Sequence, residues 1–165
     1  MLENNAMDKS RPHKIMTLCI PHRGDEVWLG MKKRGFGANR WNGFGGKVKE
    51  GETIEQAAIR EMEEESGFRP SRLEPAGVLL FQNGDSPYLI KMHIFRSLDF
   101  PDSLAESDEM RPQLFKTSQI PLDEMWEDDR YWLPYFLAGK RFEGEFTFDN
   151  NDHIVEAAVH EGVIA

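Results

Sequence analysis

The chain contains the run Gly46-Lys-Val-Lys-Glu-Gly-Glu-Thr-Ile-Glu-Gln-Ala-Ala-Ile-Arg-Glu-Met-Glu-Glu-Glu-Ser-Gly-Phe68. Within it, Thr53 is followed three residues later by Gln56, a capping-box pattern that predicts the start of a helix. Gly67 stands where that helix would end, because glycine readily adopts the left-handed conformation that closes many helices. The sequence therefore predicts a helix that begins just after Thr53 and ends just before Gly67.

Two glutamates of the predicted helix lie on the face that should meet the protein core. At about 100° per residue, the apolar stripe is formed by Ile54, Ala57, Ala58 and Met62. Glu61 and Glu65 fall within this stripe, Glu64 lies at its edge and Glu63 points away. Unpaired carboxylates facing the core would cost several kcal/mol each, so a cation should meet them. Three such acids suit a hard divalent cation such as Mg²⁺ or Mn²⁺, whereas in a plain amphipathic helix they would reach water.

The same run resembles the Nudix box, whose pattern is G-x5-E-x7-R-E-U-x-E-E-x-G-U with U apolar. The chain matches every fixed position of that pattern: Gly46, Glu52, Arg60, Glu61, Met62, Glu64, Glu65, Gly67 and Phe68. The resemblance implies the α/β class and the Nudix α/β/α sandwich, with a mixed β-sheet between helices. It also implies an enzyme that cleaves a nucleoside diphosphate linked to another moiety, with bound Mg²⁺ for which Mn²⁺ can substitute.

The resemblance assigns roles to the acids of the box. Glu61, Glu64 and Glu65 would bind the metal together with the backbone carbonyl of Gly45. The metal and a box glutamate would then activate the attacking water. In the resembled family a loop acid often completes the metal site, and Glu106 is the best candidate here. The alternative for Glu106 is an ordinary solvated loop residue.

The neighbours of these acids are predicted to hold the site in shape. Arg60 and Glu52 are expected to form a salt bridge that fixes the preceding loop against the helix. Gly45 and Gly46 let the backbone turn tightly and approach a ligand, and Lys47 is placed to meet a phosphate. Without the box, these glycines would indicate only a turn.

A second and more specific resemblance covers most of the chain, from about Thr17 to Phe148. Four segments carry it: Gly30–Ala38, Trp41–Gly46, Glu106–Pro112 and Trp126–Trp132. They look like segments of the eukaryotic MutT homologues, a Nudix subfamily that hydrolyses oxidised purine nucleoside triphosphates. By this resemblance, the residues that surround the base and sugar would be Thr17, Lys32, Phe36, Asn42, Phe81, Trp126, Asp128, Asp129 and Trp132.

The residue types at the base-binding positions suit that role. By the resemblance, Asn42, Asp128 and Asp129 contact the edge of the base, and Trp126 stacks on it. Asparagine offers a donor and an acceptor, and burial beside a like charge raises the pKa of one aspartate so that it stays protonated. A shifting proton would suit both oxidised guanine and oxidised adenine. The alternatives are that the aspartates only cap the following helix, and that Trp126 and Trp132 are core residues.

One position departs from the resembled proteins. Glu127 adds a third acid beside the aspartate pair, where those proteins commonly have proline. Such a change is expected to alter either the loop or the proton balance of Asp128 and Asp129.

Composition limits the classes to which the chain can belong. Its 165 residues suit a single domain, expected at 14–165 after a flexible N-terminal extension at 1–13. The net charge of −9 argues against a nucleic-acid partner, and there is no apolar run long enough for a membrane span. The single cysteine, Cys19, excludes a disulfide within the chain and is expected in the core. We expect a cytoplasmic monomer with a nucleotide substrate, the nuclear and mitochondrial pools being alternatives.

Hydrophobic patterns predict the remaining elements. Strands are expected at 14–20, 26–32, 78–82, 88–95, 111–116, 142–148 and 153–159. A glycine-rich loop is expected at 35–46 and an acidic loop at 97–109. A turn and then a second helix near 128–137 are expected, because Pro134 would kink or restart a longer helix.

The resemblances together predict an enzyme that hydrolyses 8-oxo-dGTP and 2-hydroxy-dATP to monophosphate and pyrophosphate. It would sanitise the nucleotide pool and so protect DNA from mutation. A first alternative is a Nudix pyrophosphatase that prefers methylated purine triphosphates, such as O6-methyl-dGTP or N6-methyl-dATP, or another nucleoside diphosphate derivative. A second alternative, from a different class, is a Nudix domain that senses a nucleotide without cleaving it.

Overall fold

Eight strands and two α-helices make up residues 7–162, the part of the chain that the computed structural model describes. In chain order they are β1 (His13–Arg23), β2 (Glu26–Lys32), β3 (Trp41–Asn42), α1 (Ile54–Ser66), β4 (Leu73–Asn83), β5 (Leu89–Ser97), β6 (Met110–Lys116), α2 (Asp129–Leu137), β7 (Phe142–Phe148) and β8 (Ile154–Glu161). Two short 3₁₀ helices, Thr117–Gln119 and Leu122–Glu124, connect β6 to α2.

The strands form one mixed sheet in the order β3-β2-β1-β5-β4-β7-β8, and β6 pairs with β2. β1 is parallel to β5 and β4 is parallel to β7, while the other pairs are antiparallel. β1 and β2 pair only beside their connecting turn, where His22 and Arg23 face Val27 and Glu26. β2 therefore diverges from β1, and the segment after β3 bridges to β1 in the space between them.

The two α-helices pack on opposite faces of this sheet. Leu18 and Ile20 of β1 pack in a large core cluster with Trp132 of α2. Cys19, which lies between them, packs in a smaller cluster with Met62 of α1. Because successive strand residues point to opposite faces, each helix covers its own side of the sheet. The predicted α/β/α sandwich with a mixed sheet is confirmed.

The predicted helix is present as α1, with both of its predicted ends. Thr53 Oγ1 accepts a hydrogen bond from the backbone N–H of Gln56 at 3.1 Å. The Gln56 side chain in turn accepts one from the backbone N–H of Thr53 at 2.9 Å, which completes the capping box. Gly67 closes the helix with φ of 76°, and its N–H donates to the Glu63 carbonyl at 2.8 Å.

Several strands are longer than predicted. β1 continues to Arg23 because Gly24, with φ of 58°, and Asp25 make the turn alone. β4 begins at Leu73, five residues before the prediction. The register shift between Pro75 and Gly77 is a bulge within the strand, a place where proline and glycine are tolerated. The two-residue strand β3 lies inside the predicted glycine-rich loop, and its pairing with β2 was not predicted.

The start of the described chain is hydrogen-bonded to the sheet. The N–H of Leu89 donates to the Pro12 carbonyl at 3.0 Å, and His13 already belongs to β1. The extension predicted at 1–13 therefore overlaps β1, and its first six residues lie outside the described range. Within residues 7–162, no helix is both long enough and apolar enough to cross a membrane.

Candidate active site

A cleft of about 500 Å³ lies between the sheet, α1 and the segment leading into α2.

 Along the chain, the first lining residue is Met16 and the last is Phe148, so the cleft exists only in the folded protein. Most of the predicted site residues line it: Thr17, Lys32, Phe36, Asn42, Gly45, Gly46, Lys47, Glu61, Glu64, Glu65, Phe81, Trp126, Asp128, Asp129 and Trp132.

The glycine segment forms one wall of the cleft because it lies directly against β1. The N–H of Thr17 donates to the Gly46 carbonyl at 2.9 Å, and Cys19 and Phe44 exchange backbone hydrogen bonds. A Cβ on Gly45 would lie 1.8 Å from the Thr17 carbonyl oxygen, and one on Gly46 would lie 2.6 Å from the Glu61 carboxyl carbon. The glycines are thus required for close packing of this segment against β1 and α1.

The acids of α1 sit at different depths, as the helical wheel predicts. Glu65 is 5% exposed and accepts a hydrogen bond from the Gly45 N–H at 2.7 Å. Burial, with a smaller effect of the Glu61 and Glu109 charges, raises the pKa of Glu65 to about 8, although the Gly45 N–H and Lys32 lower it. Glu61 is half-buried, and Glu64 lies exposed at the end of the cleft.

Arg60 forms the predicted salt bridge with Glu52. Its Nε and Nη2 donate to the two Glu52 carboxylate oxygens at 2.7 and 2.9 Å, a two-pronged contact. These hydrogen bonds hold the pKa of Glu52 at about 2. Nη2 also donates to the Lys47 carbonyl at 3.0 Å, and Nη1 to Glu61 at 2.8 Å. Arg60 therefore ties the loop before α1 to the acids without itself lining the cleft.

The residues present fit a divalent cation, although they do not already surround one. Among residues 7–162, no three His, Cys, Asp or Glu side chains converge closely enough to hold a metal ion. Arg60 engages Glu61 and also Glu64, at 3.3 Å, while Glu65 is held by Gly45. The donors are nevertheless hard oxygen atoms, and the charges of Glu61 and Glu109 add to the effect of burial in raising the pKa of Glu65. A cation bound between them would relieve that repulsion.

The loop acid in the cleft is Glu109, not the predicted Glu106. Glu106 is outside the cleft wall and pairs with Lys33 at 3.2 Å. Glu109 lines the cleft, is held by Arg34 at 2.9 Å, and contributes to the raised pKa of Glu65. The two acids belong to one short acidic segment, and the sequence held no signal that distinguished them, because a loop has no fixed periodicity.

Two buried aspartates also line the cleft. Asp128 and Asp129 are 5% and 2% exposed. Trp132 Nε1 donates to Asp128 Oδ2 at 2.8 Å, whereas Asp129 Oδ2 is buried without a hydrogen-bond partner in the described structure. Burial raises the pKa of both carboxyls, and the Asp128 charge raises that of Asp129 further. The pair therefore presents a protonated carboxyl with unfilled hydrogen-bonding capacity to the cleft.

The capping alternative for these aspartates does not hold. Asp128 occupies the N-cap position of α2, but its side chain makes no capping hydrogen bond to the helix. Its carboxylate instead accepts the indole N–H of Trp132, one turn further along. The aspartates are thus available to the cleft rather than used by the helix end.

The two tryptophans have different environments. Trp132 is 2% exposed and stacks on Phe142 with ring centroids 5.6 Å apart, so its ring is a core element. Trp126 is half-buried in the cleft wall, with Phe36 at 5.1 Å and the Arg40 guanidinium at 4.0 Å from its ring centroid. The core alternative therefore applies to the Trp132 ring, while Trp126 offers an aromatic surface to the cleft. Arg40 was not anticipated from the sequence, because cation–π contacts have no local pattern.

Neither Glu127 nor Cys19 lines the cleft. The Glu127 carboxylate accepts hydrogen bonds from His153 and from the Ile154 N–H, so it is directed at β8 rather than at the aspartate pair. Its charge does not contribute to the raised pKa of either aspartate. Cys19 is fully buried, and burial raises its pKa to about 12, which confirms it as a core residue.

Comparison with known proteins identifies the family. A family model described as the NUDIX domain matches residues 12–136. The chain belongs to the Nudix family. This Nudix chain is 50% identical over 148 residues to the "Oxidized purine nucleoside triphosphate hydrolase" of Danio rerio, covering 90% of the chain and 95% of that relative. It is 47% identical over 155 residues to the protein of the same name from Mus musculus, covering 94% and 97%.

The Nudix fold is also found by structural comparison. The crystal structure of a MutT protein from Bacillus halodurans superposes with a TM-score of 0.77 at 22% sequence identity. The match covers 88% of this Nudix chain and 97% of that protein. At this level of identity the similarity establishes the shared architecture and nothing about substrates.

Proposed function

We propose that this Nudix enzyme hydrolyses oxidised purine nucleoside triphosphates to the monophosphate and pyrophosphate, and so removes damaged nucleotides before they enter DNA. The observation that carries the proposal is the buried aspartate pair at one end of the cleft, with Asp129 Oδ2 unpartnered. The Danio rerio and Mus musculus relatives, named for hydrolysis of such triphosphates, support it.

One group of cleft residues would bind the base of the substrate, and another group would bind its phosphates. Asn42, Asp128 and Asp129 present donors and acceptors to the base edge, and Trp126 provides a face for stacking. A protonated Asp129 donates where an ordinary carboxylate could only accept. Oxidation of a purine changes its donor and acceptor pattern, so a site with such groups can favour an oxidised base over the normal one.

The phosphates would lie toward α1, where Lys47 adds positive charge and the acids provide metal ligands. Glu61, Glu64, Glu65 and the Gly45 carbonyl would hold a divalent cation, for which we propose Mg²⁺, and Glu109 is placed to join them. When bound, such an ion neutralises phosphate charge and lowers the pKa of water. The Arg60–Glu52 pair would hold the loop before α1 in a fixed position relative to the acids. Glu65, whose pKa is raised to about 8, can hold or release a proton near neutral pH.

The proposal is tested by measuring pyrophosphate release from 8-oxo-dGTP, 2-hydroxy-dATP, O6-methyl-dGTP, N6-methyl-dATP, dGTP and dATP at equal low concentrations, with and without Mg²⁺. We expect metal-dependent release that is fastest for an oxidised purine. Faster release from a methylated purine would replace the proposed substrate class. Nucleotide that binds tightly but survives long incubation with Mg²⁺ would point to a sensing domain instead.

Variants separate the two ends of the cleft. Asp129→Ala should raise KM for the oxidised substrate and reduce its preference over dGTP, because it removes a group that contacts the base. Glu61→Gln and Glu65→Gln should abolish turnover while the protein remains folded. Asp123→Asn, a change at an exposed acid six residues before Asp129, serves as the control and should change neither property.

A further inference from the structure

Glu127 connects the segment that precedes α2 to the turn between β7 and β8. Its Oε1 lies 2.8 Å from His153 Nδ1, and its Oε2 accepts the backbone N–H of Ile154 at 2.9 Å. Both carboxylate oxygens are therefore used, one on a side chain and one on the backbone. The pKa of Glu127 is lowered by these two contacts and that of His153 is raised by Glu127, as expected for a formed ion pair.

The backbone contact has a structural origin in the β7–β8 pairing. The register shifts after Thr147, so that Thr147 faces Glu156 while Phe148 faces Ile154. Such a bulge interrupts the regular sequence of strand hydrogen bonds. Glu127 accepts the N–H of Ile154 at this interruption. A neutral loop residue without an acceptor at position 127 would leave that N–H to solvent.

The turn at 149–153 is itself well fixed. Asp149 Oδ1 accepts the N–H groups of Asn151 and His153 at 2.8 and 3.0 Å. Asn150 exchanges hydrogen bonds with Asp85, in the turn between β4 and β5, at 3.1 and 3.0 Å. The turn is thus joined to a second turn of the sheet and provides a firm support for Glu127.

Trp126, the residue before Glu127, is linked to the same turn from its other side. The Arg40 guanidinium lies 4.0 Å from the Trp126 ring centroid and pairs with Asp152 at 3.7 Å. Phe148, the last residue of β7, meets the Trp126 ring edge-on at 5.8 Å. The β7–β8 hairpin therefore helps to locate the indole, through Phe148 directly and through Asp152 by way of Arg40.

We propose that Glu127 is a positioning residue for base recognition, which holds Trp126 and the adjacent aspartates in place by fastening them to the β7–β8 turn. The inference rests on the proposed function, because Trp126, Asp128 and Asp129 matter as a recognition surface only if the cleft binds a purine. Glu127 does not touch the substrate and acts through its neighbours.

The test compares Glu127→Ala and Glu127→Gln with Glu124→Gln. Glu124 is exposed three residues earlier, and within residues 7–162 its side chain has no hydrogen bond or ion pair. Steady-state kinetics with 8-oxo-dGTP should show KM raised at least about fivefold in Glu127→Ala with kcat nearly unchanged, the result of lost ground-state positioning. Glu127→Gln keeps an acceptor for Ile154 and should fall between Glu127→Ala and the wild type, while Glu124→Gln should match the wild type.

A readout that needs no turnover separates this proposal from the proposed function. The indole N–H signal of Trp126, assigned by its loss in Trp126→Phe, should shift or broaden in the ¹H–¹⁵N spectrum of Glu127→Ala but not of Glu124→Gln. If the wild type cleaves oxidised purine triphosphates, an unchanged KM in folded Glu127→Ala overturns the positioning role. If the wild type cleaves none of them, the proposed function fails, and an unchanged Trp126 signal would then overturn the positioning role as well. A variant with reduced thermal stability but unaltered KM would show that Glu127 serves stability alone.

Discussion

Trp132 Nε1 donates a 2.8 Å hydrogen bond to Asp128 Oδ2, and both side chains are almost completely buried. The Trp132 ring packs in the core, but its Nε1 atom binds a carboxylate that lines the cleft. The bond stabilises charge on Asp128, while Asp129 beside it keeps an unpartnered oxygen. The two adjacent carboxyls therefore differ in their hydrogen bonding, and a core residue of α2 provides the donor to Asp128.

Replacing Trp132 by Phe should be costly for stability. The ring would still pack on Phe142, but Asp128 would lose its donor in a buried site, at a cost of about 1–3 kcal/mol. Urea unfolding measures this loss. In an Asp128→Ala background the same Trp132→Phe change should cost clearly less, since no carboxylate remains to be satisfied; equal costs in the two backgrounds would contradict the assignment.

The two glycines beside the acids should respond differently to alanine. A Cβ on Gly46 meets the movable Glu61 carboxyl, whereas one on Gly45 meets the backbone carbonyl of Thr17 at 1.8 Å. We expect Gly46→Ala to fold and to lose about 10²-fold in kcat, because displacing a reacting group by about 1 Å has such an effect. Gly45→Ala should instead lose folded protein. Urea midpoints and kcat together distinguish these results, and full activity in Gly46→Ala would place Glu61 outside the reaction.

The Glu52–Arg60 pair should make stability depend on acid. The pKa of Glu52 is about 2 in the folded protein against an ordinary value of 4.5, so the folded state binds fewer protons there. Its contribution is present above about pH 4.5 and is lost as the pH falls toward 2. Glu52→Gln should therefore flatten the pH dependence of unfolding in this window. Glu55→Gln, a change at an exposed glutamate near the start of α1, is the control. An equally flattened pH dependence of unfolding in Glu55→Gln would show that the Glu52–Arg60 pair is not its cause.

His22 should destabilise the protein at mildly acidic pH. Its ring is half-buried, its Nδ1 accepts from Arg96, and its Nε2 donates to the Gly24 carbonyl at 3.0 Å. Burial and the Arg96 charge hold its pKa below the ordinary 6.5. The contribution of the neutral His22 ring to stability is therefore fully present above about pH 6.5 and is lost as the pH falls through the folded pKa.

Denaturant midpoints at pH 7.5 and 5.5 test this effect. His22→Asn should reduce the difference between the two midpoints relative to the wild type. His13→Asn, at an exposed histidine at the start of β1, should leave the difference unchanged. A wild-type difference that survives in His22→Asn would assign the acid sensitivity to other groups.

Local features of the sequence predicted the parts of the site that depend on local geometry. Thr53 and Gly67 locate the ends of α1 through short-range hydrogen bonds, and the depths of Glu61 and Glu65 follow from the helical period. The choice of Glu109 over Glu106 depends on the path of a loop and on the ion pairs with Arg34 and Lys33. No periodicity describes such a path, so that residue was misassigned.

Contacts between residues that are distant in the chain could not be predicted from the sequence either. The resemblance pointed to Trp126 and the aspartates, but the contacts of Arg40 with Trp126 and Asp152 join three distant segments. The same holds for Glu127. The sequence shows an acid where the resembled proteins commonly have proline, but it does not indicate that His153 is the partner of this acid. The predicted start of β4 was wrong for a different reason. Proline and glycine are common in loops, but Pro75 and Gly77 here flank a bulge within the strand.

The position of β1 in the sheet also bears on how the protein is made. β1 is synthesised well before its parallel partner β5, which ends only at Ser97. A parallel pair that closes so long a loop forms slowly, because the entropy of closure is lost before the contacts form. The edge of β1 that pairs with β5 is therefore without its neighbour until synthesis has reached Ser97. We expect nascent chains that stop before Ser97 to need a chaperone to remain in solution.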